Sequence, residues 1–352
     1  MQVSEITKKE KDEAAELYRK FVSINAQDAT RQYSWPEHFP KIQNGGITAA
    51  VVTVAHPTSP EMAEPIYEST LRFALRSVSN WYRIIESFGD KAMLVETADD
   101  IRKAKQSGKF GFIFGMQGSA YIEELGVIPA IQKLGIRITG LTYMRRNFIG
   151  DGCLEAHSPA GLSDYGIKVV EELNRAGIVI DLSHSHTKTA LDAIEVSKQP
   201  CIFSHSAPRA LRDVIRNASE EEIVAISEKG GVVGIYGLYW VLPNAPSPSM
   251  EDYLDCIDHV VKVSGVDHVG IGLDQSHARK DSESASFTQR YPELTKLSGN
   301  FMVPHDKRYA SGLMPENLLP VVEGLVARGY SDSDVEKILG GNFLRVFSRA
   351  WK

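Results

Sequence analysis

The sequence predicts an α/β chain folded as a (β/α)8 TIM-type barrel, and three observations carry that prediction. Eight short, largely apolar runs, centred near residues 22, 50, 113, 139, 180, 202, 234 and 271, each give way to a helical or long connecting segment. That alternation is the rhythm of a parallel sheet with helical crossovers. No Gly-x-Gly-x-x-Gly follows the first run, which argues against an open doubly wound sheet built around a dinucleotide. Two consecutive runs end in the same phrase, Ser183-His184-Ser185 and Ser204-His205-Ser206. Parallel neighbours would bring both imidazoles out on one rim, where such a barrel carries its chemistry.

The elements follow in order along the chain. Residues 1–20 form an N-terminal helical region, with Glu10–Lys20 a charged amphipathic helix. Phe21–Ile24 is a short first strand running into Asn25-Ala26-Gln27-Asp28. Ile47–Val54 is continuously apolar, as expected of a strand buried on both faces, and ends at Ala55-His56-Pro57. Tyr67–Phe88 is a long helix and Asp99–Gln106 a short one. Phe110–Met116 is the third strand, ending at Gln117-Gly118. Pro129–Leu134 is helical, and Arg137–Leu141 is a strand ending at Thr142-Tyr143. A polar, Gly-rich loop covers Arg145–Ala160, followed by a helix over Tyr165–Ala176. Ile178–Leu182 and Cys201–Phe203 are strands, joined by an amphipathic helix over Thr187–Ser197 whose apolar positions are Ala190, Leu191, Ile194 and Val196. Ala218–Lys229 is a helix N-capped by Ser219, with acidic residues behind it that suit the helix dipole. Gly231–Tyr236 is a strand, Met250–Ser264 a helix, and His268–Leu273 the last strand, ending at Asp274. Residues 276–314 are polar with little periodicity and read as a long rim loop. Leu318–Arg328 and Ser333–Ala350 close the chain as helices. No convincing linker interrupts this pattern, so residues 1–352 are expected to form a single domain.

Composition bounds the function. With 352 residues, 43% hydrophobic and 24% charged, the chain has the make-up of a soluble globular protein. A net charge of −6 and the lack of a basic run argue against nucleic-acid binding. There is no apolar run of about 20 residues to span a membrane. The charged N-terminus has no apolar leader, so the expected location is cytoplasmic. Cys153, Cys201 and Cys256 are too few and too scattered for a disulfide framework.

The strand ends collect Asp28, His56, Gln117, Tyr143, His184, His205, Tyr236 and Asp274, six of them capable of binding metal or of acid–base work. His184 and His205 form the best pair of metal ligands, because imidazole nitrogen is the commonest side-chain donor to first-row metals. The serines beside them suit hydrogen bonds to the other ring nitrogen or to the loop. The alternative is a pair of core histidines satisfied by backbone carbonyls. Asp274 suits a ligand or the base for a metal-bound water, or else a loop cap. Arg216, in Ile215-Arg216-Asn217-Ala218-Ser219, suits a bidentate clamp on a substrate carboxylate, or else an ordinary surface position. His186 and His277 read as surface residues, and Asp181 as a buried, hydrogen-bonded group in mid-strand.

Five stretches carry a family likeness: residues 161–184 (GLSDYGIKVVEELNRAGIVIDLSH), 200–211 (PCIFSHSAPRAL), 215–219 (IRNAS), 269–274 (VGIGLD) and 340–347 (GGNFLRVF). Together they resemble the membrane dipeptidase (renal dipeptidase) family of zinc peptidases. The resemblance covers roughly the last two-thirds of the chain. It implies a metal-dependent hydrolase barrel with a two-zinc site, often dimeric. In that family a first-strand His-x-Asp and a bridging Glu after the third strand join two histidines, an Asp on the eighth strand and a carboxylate-binding Arg. His184 and His205 match the two histidines, Asp274 the Asp and Arg216 the Arg.

Three family positions differ here. The His-x-Asp falls on Ala26-Gln27-Asp28, the bridging Glu on Gln117, and a substrate-facing His on Tyr143. A neutral amide bridges two cations poorly, so the expectation is one zinc per chain rather than two. His184, His205, Gln117 and Asp28 are its expected ligands, with His56 a conceivable replacement ligand or a plain loop residue. Asp274 is the expected base. Tyr143 is expected to bind substrate and to donate to an oxyanion in place of the lost His. The expected function is hydrolysis of a dipeptide, or a similar small amide with a free carboxylate, by metal-activated water. The partners implied are that small substrate and a second copy of the chain, with no nucleic acid and no membrane. The alternatives are the same barrel with a mononuclear or absent metal running another reaction, and a non-catalytic small-molecule binder.

Overall fold

Nine strands join one sheet in the computed structural model, which describes residues 6–55, 70–155, 157–274, 292, 309–313 and 316–352. They are β1 (Ile24–Asp28), β2 (Ala49–Thr53), β3 (Ala92–Leu94), β4 (Phe110–Met116), β5 (Ile136–Gly140), β6 (Val179–Asp181), β7 (Ile202–Ser206), β8 (Val232–Ile235) and β9 (Val269–Ile271). All but β3 follow one another in sequence order around a nearly closed barrel, each parallel to the next. β1 and β9 meet at the seam, where the backbone N–H of Leu273 donates to Asn25 Oδ1 at 3.0 Å. The eight expected strands are therefore the barrel, and the TIM-type fold class holds. β3 was not expected: at three residues it is too short to show a period, and it pairs only with the lower half of β4.

The helices are α1 (Lys8–Lys20), α2 (Trp35–Gly45), α3 (Leu71–Ser87), α4 (Ala98–Ser107), α5 (Val127–Lys133), α6 (Asp164–Ala176), α7 (Thr187–Val196), α8 (Glu220–Glu228), α9 (Met250–Ser264), α10 (Leu319–Ala327), α11 (Asp332–Glu336) and α12 (Asn342–Ala350). Local chemistry sets their starts. Thr7, Thr97, Ser219 and Ser249 each build a capping box with an acidic residue three positions on, contributing about 1 kcal/mol apiece. None of the described helices is long and apolar enough to cross a membrane. The three cysteines are buried free thiols.

Four expectations need correction. The first strand starts at Ile24 rather than Phe21, so Asn25–Asp28 belong to it. α2 was missed, although Pro36 opens it and Gly46 closes it in the left-handed region at φ 81°, as helix punctuation requires. The second histidine run is strand through Ser206, so His205 sits within β7. The last helix is broken: a π-helical stretch, Lys337–Gly341, separates α11 from α12, with Gly340 extended at φ 178°. Asn342 anchors that break, donating to the carbonyls of Val266 and Val269 at 2.7 and 2.8 Å. His56, His277 and most of the 276–314 rim loop lie outside the described residues.

Two apolar layers hold the barrel. Inside it, Ile24, Ala26, Ala49, Val51, Ile113, Ile138, Val179, Ile202 and Val232 form a column closed at the bottom by Phe343 and Phe347 of α12. Outside it, β4 projects Phe110, Phe112 and Phe114 into an aromatic cluster with Trp35 and Trp81. In β1, Asn25 stands opposite Ala50 while Asp28 stands opposite Val52. That is one residue more on β1 than on β2, a β-bulge. Beyond it Asp28 shares the outward face of Val52, and Gln27 takes the place at the barrel mouth.

Close backbone approach shapes the histidine wall. A Cβ on Gly272 would sit 1.8 Å from the carbonyl oxygen of Ser204, and one on Gly270 would sit 2.5 Å from the Phe343 ring. Both glycines let β9 lie against its neighbours where a side chain has no room. Gly272→Ala is therefore expected to destabilise the protein by about 3 kcal/mol. Urea unfolding of the variant checks this; a midpoint like that of the unsubstituted protein would show that β9 can shift freely.

Candidate active site

β6 and β7 build the centre of the site. Asp181, the last residue of β6, is buried and accepts at Oδ1 from the backbone N–H groups of Ser183 and Ser204, at 3.0 and 2.8 Å. It closes the strand rather than lying in mid-strand, and it is the buried, hydrogen-bonded group the sequence suggested. The Ser204 hydroxyl reaches both Asp181 Oδ2, at 2.5 Å, and His205 Nδ1, at 2.7 Å. The Nε2 atoms of His205 and His184 face each other at 2.9 Å. The strand–helix–strand reading thus placed both imidazoles correctly on one rim, with a serine behind one of them.

His184 reaches this position through a left-handed backbone, φ 70°, and Met144 and Asp274 do likewise at 61° and 49°. Non-glycine residues held in that region cost energy, and such strain gathers at functional sites. The ring of Tyr143 lies 4.4 Å from that of His184, and the ring of Tyr236 lies 5.3 Å from that of His205. Arg216 is buried behind them. Its Nη2 donates to the His205 carbonyl at 2.9 Å, and its guanidinium lies 5.3 Å from the centre of the Tyr236 ring. Among the described residues its Nε finds no hydrogen-bond partner although it is buried, a donor left for something else to satisfy. The Tyr236 hydroxyl donates to Asp274 Oδ2 at 2.7 Å.

Electrostatics agree with this geometry. Burial, reinforced by the Arg216 charge, lowers His205 well below the ordinary imidazole range, so it stays a neutral potential ligand. Burial, with the Asp274 carboxylate second, raises Tyr236 well above the usual phenol range, so it remains a donor to Asp274. The Cys153 thiol is pushed up to about 11 by burial, which keeps it protonated.

The opposite wall is different. Gln117 and Gln27 both donate their amide N–H groups to Thr53 Oγ1, at 2.9 and 2.6 Å, a neutral network at the barrel mouth. Ala26 offers no donor. Asp28 is turned away by the bulge: its carboxylate meets His38 Nε2 of α2 at 3.3 Å and accepts from the N–H of Thr30 at 2.8 Å. The structure thus places Asp28 beside His38 and does not bring it together with the two histidines. Among the described residues no three His, Cys, Asp or Glu side chains gather as a metal cage. His186 is a half-buried surface residue that caps α7, its Nδ1 accepting from the N–H of Lys188 at 3.1 Å. Tyr236 was visible at its strand end but was given no role. The Asp28–His38 pairing had no sequence signal, because His38 lies in the missed helix.

The donor chemistry of the two histidines suits a metal ion. Two imidazole nitrogens bound to one tetrahedral ion at about 2.0–2.1 Å stand roughly 3.3 Å apart, close to the 2.9 Å spacing here. A second ion would face an alanine, a neutral amide and a carboxylate already paired with His38.

Known proteins share this framework. A family model described as Membrane dipeptidase (Peptidase family M19) matches residues 5–322. "Dipeptidase tcpJ" of Claviceps purpurea (strain 20.1) is 27% identical over 292 residues, which is 81% of this chain and 62% of that protein. "Dipeptidase verJ" of Clonostachys rogersoniana is 28% identical over 83% of this chain and 68% of its own length. This chain thus spans less than two-thirds of the Claviceps relative. The crystal structure of an amidohydrolase from Pseudomonas aeruginosa superposes with a TM-score of 0.81 at 29% identity, covering 96% of this chain and 99% of that one.

Proposed function

This chain belongs to the membrane dipeptidase family, and from that premise we propose that it is a metal-dependent hydrolase. Its substrate in this reading is a dipeptide or a similar small amide with a free carboxylate. One observation carries the proposal: two imidazoles present their Nε2 atoms to each other at 2.9 Å, beside a buried Arg216 whose Nε has no partner. His184 and His205 would hold one ion, zinc in this reading, with Gln117 at most a weak neutral ligand. When bound, such an ion supplies a Lewis acid and makes bound water acidic enough to ionise near neutral pH. Asp28, paired with His38, is given no ligand role.

The protein's own groups do the rest. Arg216 binds the substrate carboxylate through its unpartnered edge, satisfying a buried donor and fixing the substrate's orientation. Asp274, oriented by the Tyr236 hydroxyl, accepts the proton of the attacking water. Tyr143, packed on His184, donates its hydroxyl to the oxyanion that develops on the scissile carbonyl. A single domain, a homodimer and a cytoplasmic location complete the reading; the dimer rests on the family resemblance alone.

Purified protein should carry about one ion per chain by elemental analysis and hydrolyse L-X-L-Y or L-X-D-Y dipeptides, with turnover lost in chelator. Two tightly held ions would refute the one-ion reading. No metal, no turnover on any dipeptide and an unchanged thermal midpoint in chelator would refute the hydrolase reading.

Gln117→Glu gives a further expected result. A carboxylate at the neutral wall attracts a cation, so metal per chain should rise above that of the unsubstituted protein. Unchanged metal content with activity lost would show that the amide has a role of its own.

A further inference from the structure

We infer that Asp181 is a positioning residue: acting through Ser204, it sets the proton of His205 on Nδ1 and leaves Nε2 bare toward the metal position. The inference rests on the reading that His184 and His205 hold the ion. It follows from counting protons along one hydrogen-bonded chain. Oδ1 of Asp181 is taken by two backbone N–H groups, so Oδ2 is the oxygen that faces Ser204. A carboxylate oxygen accepts and does not donate. The single proton of the Ser204 hydroxyl therefore points to Asp181.

With its proton committed, Ser204 Oγ can only accept from His205 Nδ1, 2.7 Å away. Nδ1 then carries the one proton of a neutral imidazole, and Nε2 is a bare lone pair. His184 Nε2, at 2.9 Å, must be the donor between the two rings, since two bare lone pairs would repel each other at that distance. The two histidines thus hold opposite tautomers before any metal arrives, and only the His184 Nε2 proton has to be displaced. The neighbouring Ser183 hydroxyl accepts from the His205 backbone N–H at 3.1 Å and lies 3.3 Å from Ser204 Oγ, so its own proton can go to Ser204 without competing for Asp181. Without the carboxylate, the Ser204 proton is free to turn toward Nδ1, which would move the imidazole proton to Nε2 and block the lone pair.

The test needs neither substrate nor turnover. Long-range 1H–15N spectra of metal-free, 15N-histidine-labelled protein at neutral pH read each tautomer directly, and His184→Gln and His205→Gln spectra assign the two signals. Expected are Nδ1–H for His205 and Nε2–H for His184. In Asp181→Asn, whose amide can donate to Ser204, the His205 signal should shift toward the Nε2–H form. Zinc affinity, measured by competition with a chromophoric chelator, should fall about 10–100-fold. Ser204→Ala should weaken zinc similarly, and Ser204→Thr, which keeps the hydroxyl, should recover it. An Nε2–H tautomer for His205 in the unsubstituted protein overturns the inference. So do variants that keep both the tautomer and the zinc affinity. Should Asp181→Asn fail to fold, the unsubstituted spectrum and the Ser204 pair still decide. A protein with these tautomers that hydrolyses no dipeptide would refute the proposed reaction and leave this inference standing.

Discussion

Replacing His205 with alanine is expected to remove the bound metal and to lower kcat/KM for a dipeptide by more than about 10³-fold, some 4 kcal/mol of transition-state stabilisation. Loss of an outer partner of a metal ligand costs about 10–100-fold, and loss of one imidazole of the facing pair costs more. His205 is also where the site is tied together. Its Nδ1 meets the Ser204 hydroxyl and its Nε2 meets His184, its carbonyl accepts from Arg216, and its ring packs on Tyr236. Alanine leaves a buried hole and strips partners from Ser204 and His184, so a folding penalty of about 2 kcal/mol accompanies the loss. His205→Gln fills most of that volume and isolates the ligand effect. Metal content, thermal midpoint and kcat/KM measured together separate the two contributions. A His205→Gln protein that folds, retains its metal and turns over dipeptide would remove the imidazole pair from the mechanism.

Arg216→Ala should have the second largest effect, and a selective one. The arginine is buried, with one edge on the His205 carbonyl, its face toward Tyr236 and its Nε unsatisfied. A carboxylate arriving at that edge gains a charge-assisted bond in a water-poor setting, and truncating such a partner costs roughly 3–4 kcal/mol. kcat/KM for a free dipeptide should therefore fall about 10²–10³-fold. The same dipeptide with an amidated C-terminus, already a poor substrate, should lose little. Arg216→Lys should recover only part of the loss, because an ammonium keeps the charge without the planar fork. Equal loss on the free and amidated substrates would assign Arg216 to holding the site together rather than to reading the carboxylate.

Much of the fold was legible along the chain because it is written in local periodicity. Apolar runs such as Phe110–Met116 and amphipathic stretches such as Met250–Ser264 appear in the structure with the bounds expected of them. Ser219 caps its helix as expected, and its hydroxyl completes a capping box with Glu222. The errors fall where local signal is weak or is overruled by packing. α2 carries a proline within it as well as at its start, and β3 has three residues. The π-helical break before Asn342 belongs to a contact with the base of β9 that no nearby residue encodes.

The candidate site divides in the same way. The sequence by itself determined that two histidines would share a rim, because two neighbouring parallel strands end in the same phrase and strand direction is all that this requires. The family resemblance, rather than any local pattern, implied that Ala26 and Gln117 stand where the family carries a His and a bridging Glu. Only the tertiary structure decided what those positions became. A one-residue bulge in β1 sends Asp28 outward to a histidine of a helix the sequence did not reveal, and puts Gln27 in its place beside Thr53 and Gln117. The proton order from Asp181 through Ser204 to the two imidazoles was equally hidden. A side chain's face follows from register, and a hydrogen bond's direction follows from which neighbours have donors to spare. Both are properties of strands brought together in space, and neither is carried by any single stretch of chain.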